Sequence, residues 1–242
     1  MNKKNTDNKI PIYQLESKEK VLNYYINWTQ NNQYNQDMVN WNYSGPRNAV
    51  NIFKKYAHDK SIVILDAGCG TGLVGVELEK EGYTNFIGVD FSQEMLNLVP
   101  KNLYQRLELV DLNKHLNYSD NNFDAILCVG TFTYGHVKAH ALNEFIRIVK
   151  QDGLICFTVN EGIYEEYEFE NKIKEKGNSE IKISAITKEP ALINGFLGIP
   201  FSFSNCSKEL NGSPDGSTST RFQIFLPPCF LAKAKVKTLE IL

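Results

Sequence analysis

The run Val63-Ile64-Leu65-Asp66-Ala67-Gly68-Cys69-Gly70-Thr71-Gly72 carries an apolar strand into an acid and then into three alternating glycines. Without a Cβ at those positions, a ligand can lie directly against main-chain N–H groups. A helix opening near Leu73 aims its positive end at the same place, which suits an anionic or carboxylate group. Three nucleotide-like ligands use such a turn, and the details separate them. A dinucleotide fingerprint, G-x-G-x-x-G, needs its third glycine where Leu73 stands; here the glycine comes early, at Gly72. Asp66, two residues before the first glycine, would also repel a pyrophosphate, so an NAD-dependent oxidoreductase is disfavoured. A phosphate-binding P-loop needs Gly-Lys-Ser/Thr, which is missing.

Further acids fall in phase with Asp66. Asn85-Phe86-Ile87-Gly88-Val89-Asp90 reads as the next strand, ending in an acid about 20 residues beyond the glycines. Asp90 is suited to accept both ribose hydroxyls of an adenosine, and Phe91 to cover the adenine face. Arg106 to Asp111 reads as a third strand, which would bring Asp111 to the adenine amino group. Phe123 to Gly130 is nearly all apolar, as a buried parallel strand should be. Open α/β sheets bind ligands at such strand C-ends. Any one of these acids alone would read as a helix cap; four termini in phase favour a nucleoside site.

The elements that must hold these residues follow from periodicity. Residues 1–15 are polar and Asn-rich, an arm. Val21, Tyr24, Tyr25 and Trp28 give a helix over Ser17–Trp28, and Pro46 opens another through Ala49, Ile52, Phe53 and Tyr56. Strands are expected at 61–66, 85–90, 106–111, 123–130 and 154–160, with helices at 73–81, 92–99 and 137–150. The alternation implies an α/β fold, a doubly wound and mostly parallel Rossmann-like sheet with an N-terminal helical lid. Residues 1–45 make the arm and lid, 46–186 the nucleoside-binding domain, and 187–242 a Gly-, Ser-, Asn- and Pro-rich C-terminal segment without assignment.

The D-x-G-x-G-x-G pattern resembles motif I of the class I S-adenosylmethionine-dependent methyltransferases. Within them, Trp28, Tyr34-Asn35-Gln36-Asp37-Met38 and Tyr43-Ser44-Gly45-Pro46 are similar to the N-terminal signature of the Williams–Beuren syndrome region methyltransferase-like family. So are Leu65 to Val74, Gly88 to Ser92, Leu103-Tyr104-Gln105-Arg106-Leu107 and Phe123 to Gly130. The likeness spans roughly residues 20–180; this chain has Tyr34-Asn35 where the family carries Tyr-Asp, and the stretch after 186 departs from it.

The resemblance implies S-adenosylmethionine as cofactor and an enzyme that methylates a small molecule or protein side chain. A non-catalytic S-adenosylmethionine-binding sensor or scaffold is the alternative. It further implies that Gly68, Cys69, Gly70 and Gly72 admit the methionine portion, with Asp66 organising that end. Asp90 would take the ribose, Phe91 or Met95 would pack on adenine, and Asp111 and Leu112 would frame its edge. Val129 and Gly130 would line the path under the sulfonium, and Tyr34 would close over the cofactor from the lid. Two edge strands, Ile181–Ile186 and Arg221–Leu226, are expected as a hairpin. The stretch Thr131 to His136 would face the line of attack. It lacks the acidic-or-Asn-Pro-Pro-aromatic motif of DNA-adenine and glutamine methylating enzymes. His136 is the one candidate base, its pKa lying near neutrality, although a water-exposed histidine at a helix start is the weightier reading.

Net charge −2 and a pI near 6.1 leave no general footprint for nucleic acid. His136 and His140 are spaced i, i+4 without a third ligand, so no metal is expected. Five cysteines without a Cys-x-x-Cys, a polar N-terminus and no long apolar run lead to the expectation of a cytoplasmic protein without a membrane segment, and a monomer is expected.

Overall fold

The computed structural model describes residue 15, residues 17–133, 135–159, 161–169 and 171, and two strands beyond them. Apolar residues that alternate along the strands give the sheet two buried faces. β1 (Ile64–Ala67), β2 (Phe86–Asp90), β3 (Arg106–Leu109), β4 (Phe123–Phe132) and β5 (Val149–Val159) pair in parallel. Helices α1 (Lys18–Trp28), α2 (Gln33–Asn40) and α3 (Gly45–Phe53) precede β1. Helices α4 (Leu73–Lys80) and α5 (Gln93–Leu96) follow β1 and β2, and α6 (Ala141–Ile148) and α7 (Glu161–Glu166) flank β5. On one face Leu65, Ile126, Cys128, Ile155 and Phe157 pack with Leu142, Phe145 and Ile148 of α6 and Ile163 of α7. On the other, Ile64, Phe86, Ala125, Leu127 and Cys156 pack with Ala49, Val50 and Phe53 of α3 and Val74 and Leu78 of α4. Each large apolar side chain buried this way contributes about 1.5–3 kcal/mol, so these two layers hold the fold.

The strand order is β3-β2-β1-β4-β5-β7-β6, with β6 (Ile181–Thr187) and β7 (Thr220–Phe225) at one edge. The order reverses between β1 and β4, which opens a crevice outside their C-terminal ends. The expected edge hairpin is corrected. β7 runs parallel to both β5 and β6, pairing Ile181 with Thr220 and Thr187 with Phe225. Parallel neighbours need a crossover of a dozen or more residues, and the long sequence between these strands meets that length, whereas a tight turn would not. Residues 188–219 lie outside the described residues, as do 1–14 and 226–242.

Several element ends also move. The helix expected over 137–150 is Ala141–Ile148, because Val149 turns extended (φ −78°, ψ 142°) and pairs with Phe123. β5 therefore starts five residues before the predicted 154, and it accommodates Asp152 at φ +58° as a register shift. The helix expected over 92–99 is only Gln93–Leu96, ahead of Pro100, which disfavours helix in the residue before it.

The lid stands apart energetically. Val21 is the one buried residue of α1, and α2 buries none. Polar contacts hold these helices to the domain instead. Lys18 Nζ meets Asp111 Oδ2 at 2.6 Å, Tyr25 Oη meets His136 Nε2 at 2.9 Å, and Thr71 Oγ1 donates to Asn35 Oδ1 at 2.6 Å. Trp28 Nε1 donates to Asp37 Oδ2 at 2.7 Å and joins α1 to α2. No helix among the described residues is long and apolar enough to cross a membrane.

Candidate functional site

The lid and the strand ends enclose a cavity of about 180 Å³. Its floor is the glycine turn. Gly68 and Cys69 both donate their N–H to Val89 O, at 2.8 and 2.9 Å, which fixes the turn against β2. Gly68 adopts φ +80°, and a Cβ there would lie 2.2 Å from Thr131 Oγ1; no other residue type fits that approach. Gly70 N donates to Asp90 Oδ2 at 2.9 Å, and Ser92 N donates to Asp90 Oδ1 at 2.9 Å. Asp90 thus braces the turn while forming part of the cavity wall. Burial pushes its carboxyl up to about 6, against the hydrogen bonds from Ser92, Gly70 and Phe91, which lower it.

Of the residues singled out from sequence, Tyr34, Gly68, Cys69, Gly70, Asp90 and Phe91 line the cavity. Met95, Asp111, Leu112, Val129, Gly130 and His136 also line it. Two others do not, and the contacts explain why. Gly72 (φ +89°) faces the domain interior, where a Cβ would press on Leu103, Tyr104 and Val99 within 3.3 Å. The absence of a Cβ there makes room for those side chains. Asp66 is fully buried behind the wall. Its Oδ2 accepts a 2.6 Å bond from Tyr104 Oη, and its Oδ1 has no partner. Burial drives its carboxyl up to about 7, opposed by the Tyr104 hydrogen bond and helped by the nearby Asp90 charge. Burial, with the same two carboxylates, also raises the Cys69 thiol well above its usual value.

Tyr104 has no obvious signal in the spacing of acids and glycines, yet it joins Asp66 of β1 to Gly75 of α4. Besides donating to Asp66, its hydroxyl accepts from Gly75 N at 3.1 Å. A Cβ at Gly75 would come within 2.5 Å of that hydroxyl, and one at Gly88 within 3.0 Å of the ring. The Leu103-Tyr104-Gln105-Arg106-Leu107 motif was the clue available in the sequence.

Asp111, expected from the sequence at the adenine edge, is paired with Lys18 and accepts from Asn113 N at 3.1 Å. Partial burial raises its pKa, but these bonds and the Lys18 charge outweigh it and leave the carboxyl below its usual value. Gly130 N donates to Thr158 Oγ1 at 2.8 Å.

The lid supplies a wall that sequence reading largely missed. Tyr25 stands edge-on to Tyr34, Phe91 and His136, with ring centroids 6.4, 6.0 and 5.6 Å away. Trp28 packs edge-on to Tyr34 at 4.8 Å and against Trp41 at 5.7 Å. Spacing placed Tyr25 and Trp28 on one helix face but gave no sign of which rings they would meet. His136 is half-buried, not the water-exposed histidine that weighed more in the sequence. Its Nε2 meets Tyr25 Oη and its Nδ1 meets Thr133 Oγ1 at 2.8 Å. His140 is exposed and sends Nε2 to Asn113 O at 3.2 Å, and no metal-holding cluster occurs among the described residues. Tyr134, in the same loop, lies outside the described residues.

Residues 64–153 match the family model for a methyltransferase domain. Residues 64–153 therefore carry a methyltransferase domain. Human methyltransferase-like protein 27 is 38% identical over 141 residues, covering 57% of this chain and 56% of that protein. A demethylmenaquinone methyltransferase of Lactobacillus johnsonii is 34% identical over 113 residues, covering 43% of this chain and 46% of that protein. The chain spans about half the length of these curated relatives. Among solved structures, a putative S-adenosyl-L-methionine-dependent methyltransferase from Methanococcus maripaludis is 18% identical. It covers 87% of this chain and 99% of that one, with a TM-score of 0.47. The matched residues end within β5, and the lid and the β6–β7 edge lie outside them.

Proposed function

We propose that this chain transfers a methyl group from S-adenosylmethionine to a small molecule or a protein side chain. The observation that carries the reading is Asp90. It closes β2, braces Gly70 through one oxygen and Ser92 through the other, and still lines the cavity beside Phe91 and Met95. A carboxylate oxygen has two acceptor sites, so each can take a ribose hydroxyl in addition to its backbone N–H.

When bound, S-adenosylmethionine supplies a methyl on a positively charged sulfur that becomes a neutral thioether on transfer. The chain itself has correspondingly little to do beyond positioning. Gly68 and Gly70 let the backbone approach, Phe91 and Met95 present apolar surface to an adenine, and the lid rings exclude water over the crevice. Holding two reactants in line lowers the barrier by removing translational and rotational freedom before the reaction. Within the methyltransferases, the likeness at residues 20–180 supports the Williams–Beuren syndrome region methyltransferase-like family. The described cysteines Cys69, Cys128 and Cys156 are all buried thiols, in keeping with a reducing, cytoplasmic setting and a monomer.

The test is turnover. Incubation with methyl-labelled S-adenosylmethionine and a fractionated metabolite extract should give S-adenosylhomocysteine and label in one fraction. Tight S-adenosylhomocysteine binding with no transfer to any metabolite or protein fraction would instead establish the sensor or scaffold alternative.

A further inference from the structure

The cavity wall divides into two parts. One is the strand-end part already given to the cofactor; the other is formed by the lid and the loop after β4. In the second part the side chains are Tyr25, Trp28, Met38, Trp41 and Tyr43, with Thr133 and His136 opposite. Among the described wall residues the charged side chains are Lys18, Asp90 and Asp111. Asp90 belongs to the glycine turn, and Lys18 is engaged with Asp111. Such a wall offers no guanidinium for a phosphate or carboxylate, but it offers flat apolar surfaces for a ring.

Hydroxyls and an imidazole interrupt this surface at one place. Thr133 Oγ1, the His136 ring and Tyr25 Oη form a continuous hydrogen-bonded row, with steps of 2.8 and 2.9 Å. All three residues line the cavity, and Thr133, 3% exposed, is the most buried end of the row. With the Tyr25 phenol as donor to Nε2, the imidazole proton sits on Nδ1 toward Thr133 Oγ1. That arrangement leaves the row ready to receive a proton from the cavity side.

Resting on the methyltransferase reading, we propose that the acceptor is a neutral aromatic hydroxyl compound, a phenol, whose proton is taken by the Tyr25–His136 pair. The ring lies against Trp28 and Trp41, and the hydroxyl meets Tyr25 Oη. As the acceptor O–H bond breaks, its proton passes to Tyr25 Oη while the Tyr25 proton moves to His136 Nε2. His136 becomes an imidazolium with Nδ1–H still on Thr133. The electron pair released on the acceptor oxygen forms the new O–CH₃ bond. The methyl–sulfur bond breaks with its electron pair going to sulfur, which loses its positive charge. His136 then returns its proton to water through Tyr25 as the lid opens. Among the described residues, His136 meets Tyr25 from α1, Thr133 on its own loop and Asn113, whose Nδ2 donates to His136 O at 3.0 Å. The Lys18–Asp111 pair lies on the same wall.

The experiment compares para-cresol, which stays protonated at neutral pH, with para-nitrophenol, which is largely ionised, and with phenylethylamine as a nitrogen acceptor. Initial rates with S-adenosylmethionine are measured across pH for the wild type, His136→Gln and Tyr25→Phe. Calorimetric binding of S-adenosylhomocysteine is recorded on each preparation. For para-cresol, both variants should lose about 100-fold or more in kcat/KM, the range that a positioned base supplies. For para-nitrophenol the loss should stay under about tenfold, because no proton has to be removed. The wild-type pH profile for para-cresol should show an ionisation that His136→Gln abolishes. Equal losses with both phenols would reduce the row to a structural latch and overturn the proposal. So would methylation of phenylethylamine but neither phenol, or no transfer to any of the three by a protein that binds S-adenosylhomocysteine. Failure to bind S-adenosylhomocysteine would refute the methyltransferase reading itself, a result separate from the others.

Discussion

Replacing Asp66 with Asn should make the protein more stable above neutrality and remove much of its pH dependence. In the folded protein the carboxyl is fully buried, accepts one bond from Tyr104, and leaves Oδ1 unpartnered, with its pKa raised from 3.8 to about 7. The raised value sets the sign. Between the two pKa values the folded state holds a proton that the unfolded state has lost, so the contribution is fully present below about pH 3.8. It then declines as pH rises through about 7. From about pH 5 to about pH 8 the wild type should lose on the order of 3 kcal/mol through this one group. Asn cannot ionise and should show none of that loss. It keeps an oxygen for Tyr104 but buries an amide donor in place of Oδ1, which costs about 1–3 kcal/mol at every pH. The variant should therefore be slightly less stable than wild type near pH 5 and equal or more stable near pH 8. Urea unfolding of both proteins at the two pH values measures the change in their difference, in which the pH-independent amide cost cancels. A difference that stays constant within about 1 kcal/mol, or that changes in the opposite direction, would refute the argument that burial dominates at Asp66.

Two further substitutions address the site. Asp90→Ala should weaken S-adenosylhomocysteine binding by about 10- to 100-fold, the loss of charge-assisted contacts worth roughly 1.5–3 kcal/mol. An unchanged calorimetric affinity would mean that Asp90 serves only Gly70 and Ser92. Gly68→Ala combines a positive φ with a Cβ that would lie 2.2 Å from Thr131 Oγ1, and should destabilise the fold by roughly 1–3 kcal/mol. A melting temperature equal to that of wild type would show that the turn relaxes freely.

The parts of the site legible in the sequence are those set by local rules. An apolar run that ends in Asp66 or Asp90 before a turn reports a strand end, and Gly68 and Gly70 report a backbone that must come close to something. Those features depend on residues adjacent in the chain, and the structure places Gly68, Gly70 and Asp90 together as expected. Long-range partners were not legible. Tyr104 reaches Asp66 across 38 positions and Tyr25 reaches His136 across 111, and no periodicity encodes either pairing. The lid was visible as amphipathic helix, but its rings find their neighbours only when polar contacts fix it over the crevice. The neighbours of Gly72 were not legible, because a positive φ at a turn looks the same whatever fills the space beside it, here Leu103, Tyr104 and Val99. The edge strands were located within a residue at each end, yet their direction was not. Residue alternation sets which face a strand shows and says nothing about which way its neighbour runs.

The central claim is tested most directly by thermal unfolding of the full chain with S-adenosylmethionine, S-adenosylhomocysteine and NAD in turn. A ligand at about 100 times its dissociation constant adds roughly 2.7 kcal/mol. For a chain of this length that raises the midpoint by about 5–10 °C. The predicted result is a shift of that size with both adenosyl ligands and none with NAD. A shift with NAD, or a cooperative transition that moves with none of the three, would contradict the account.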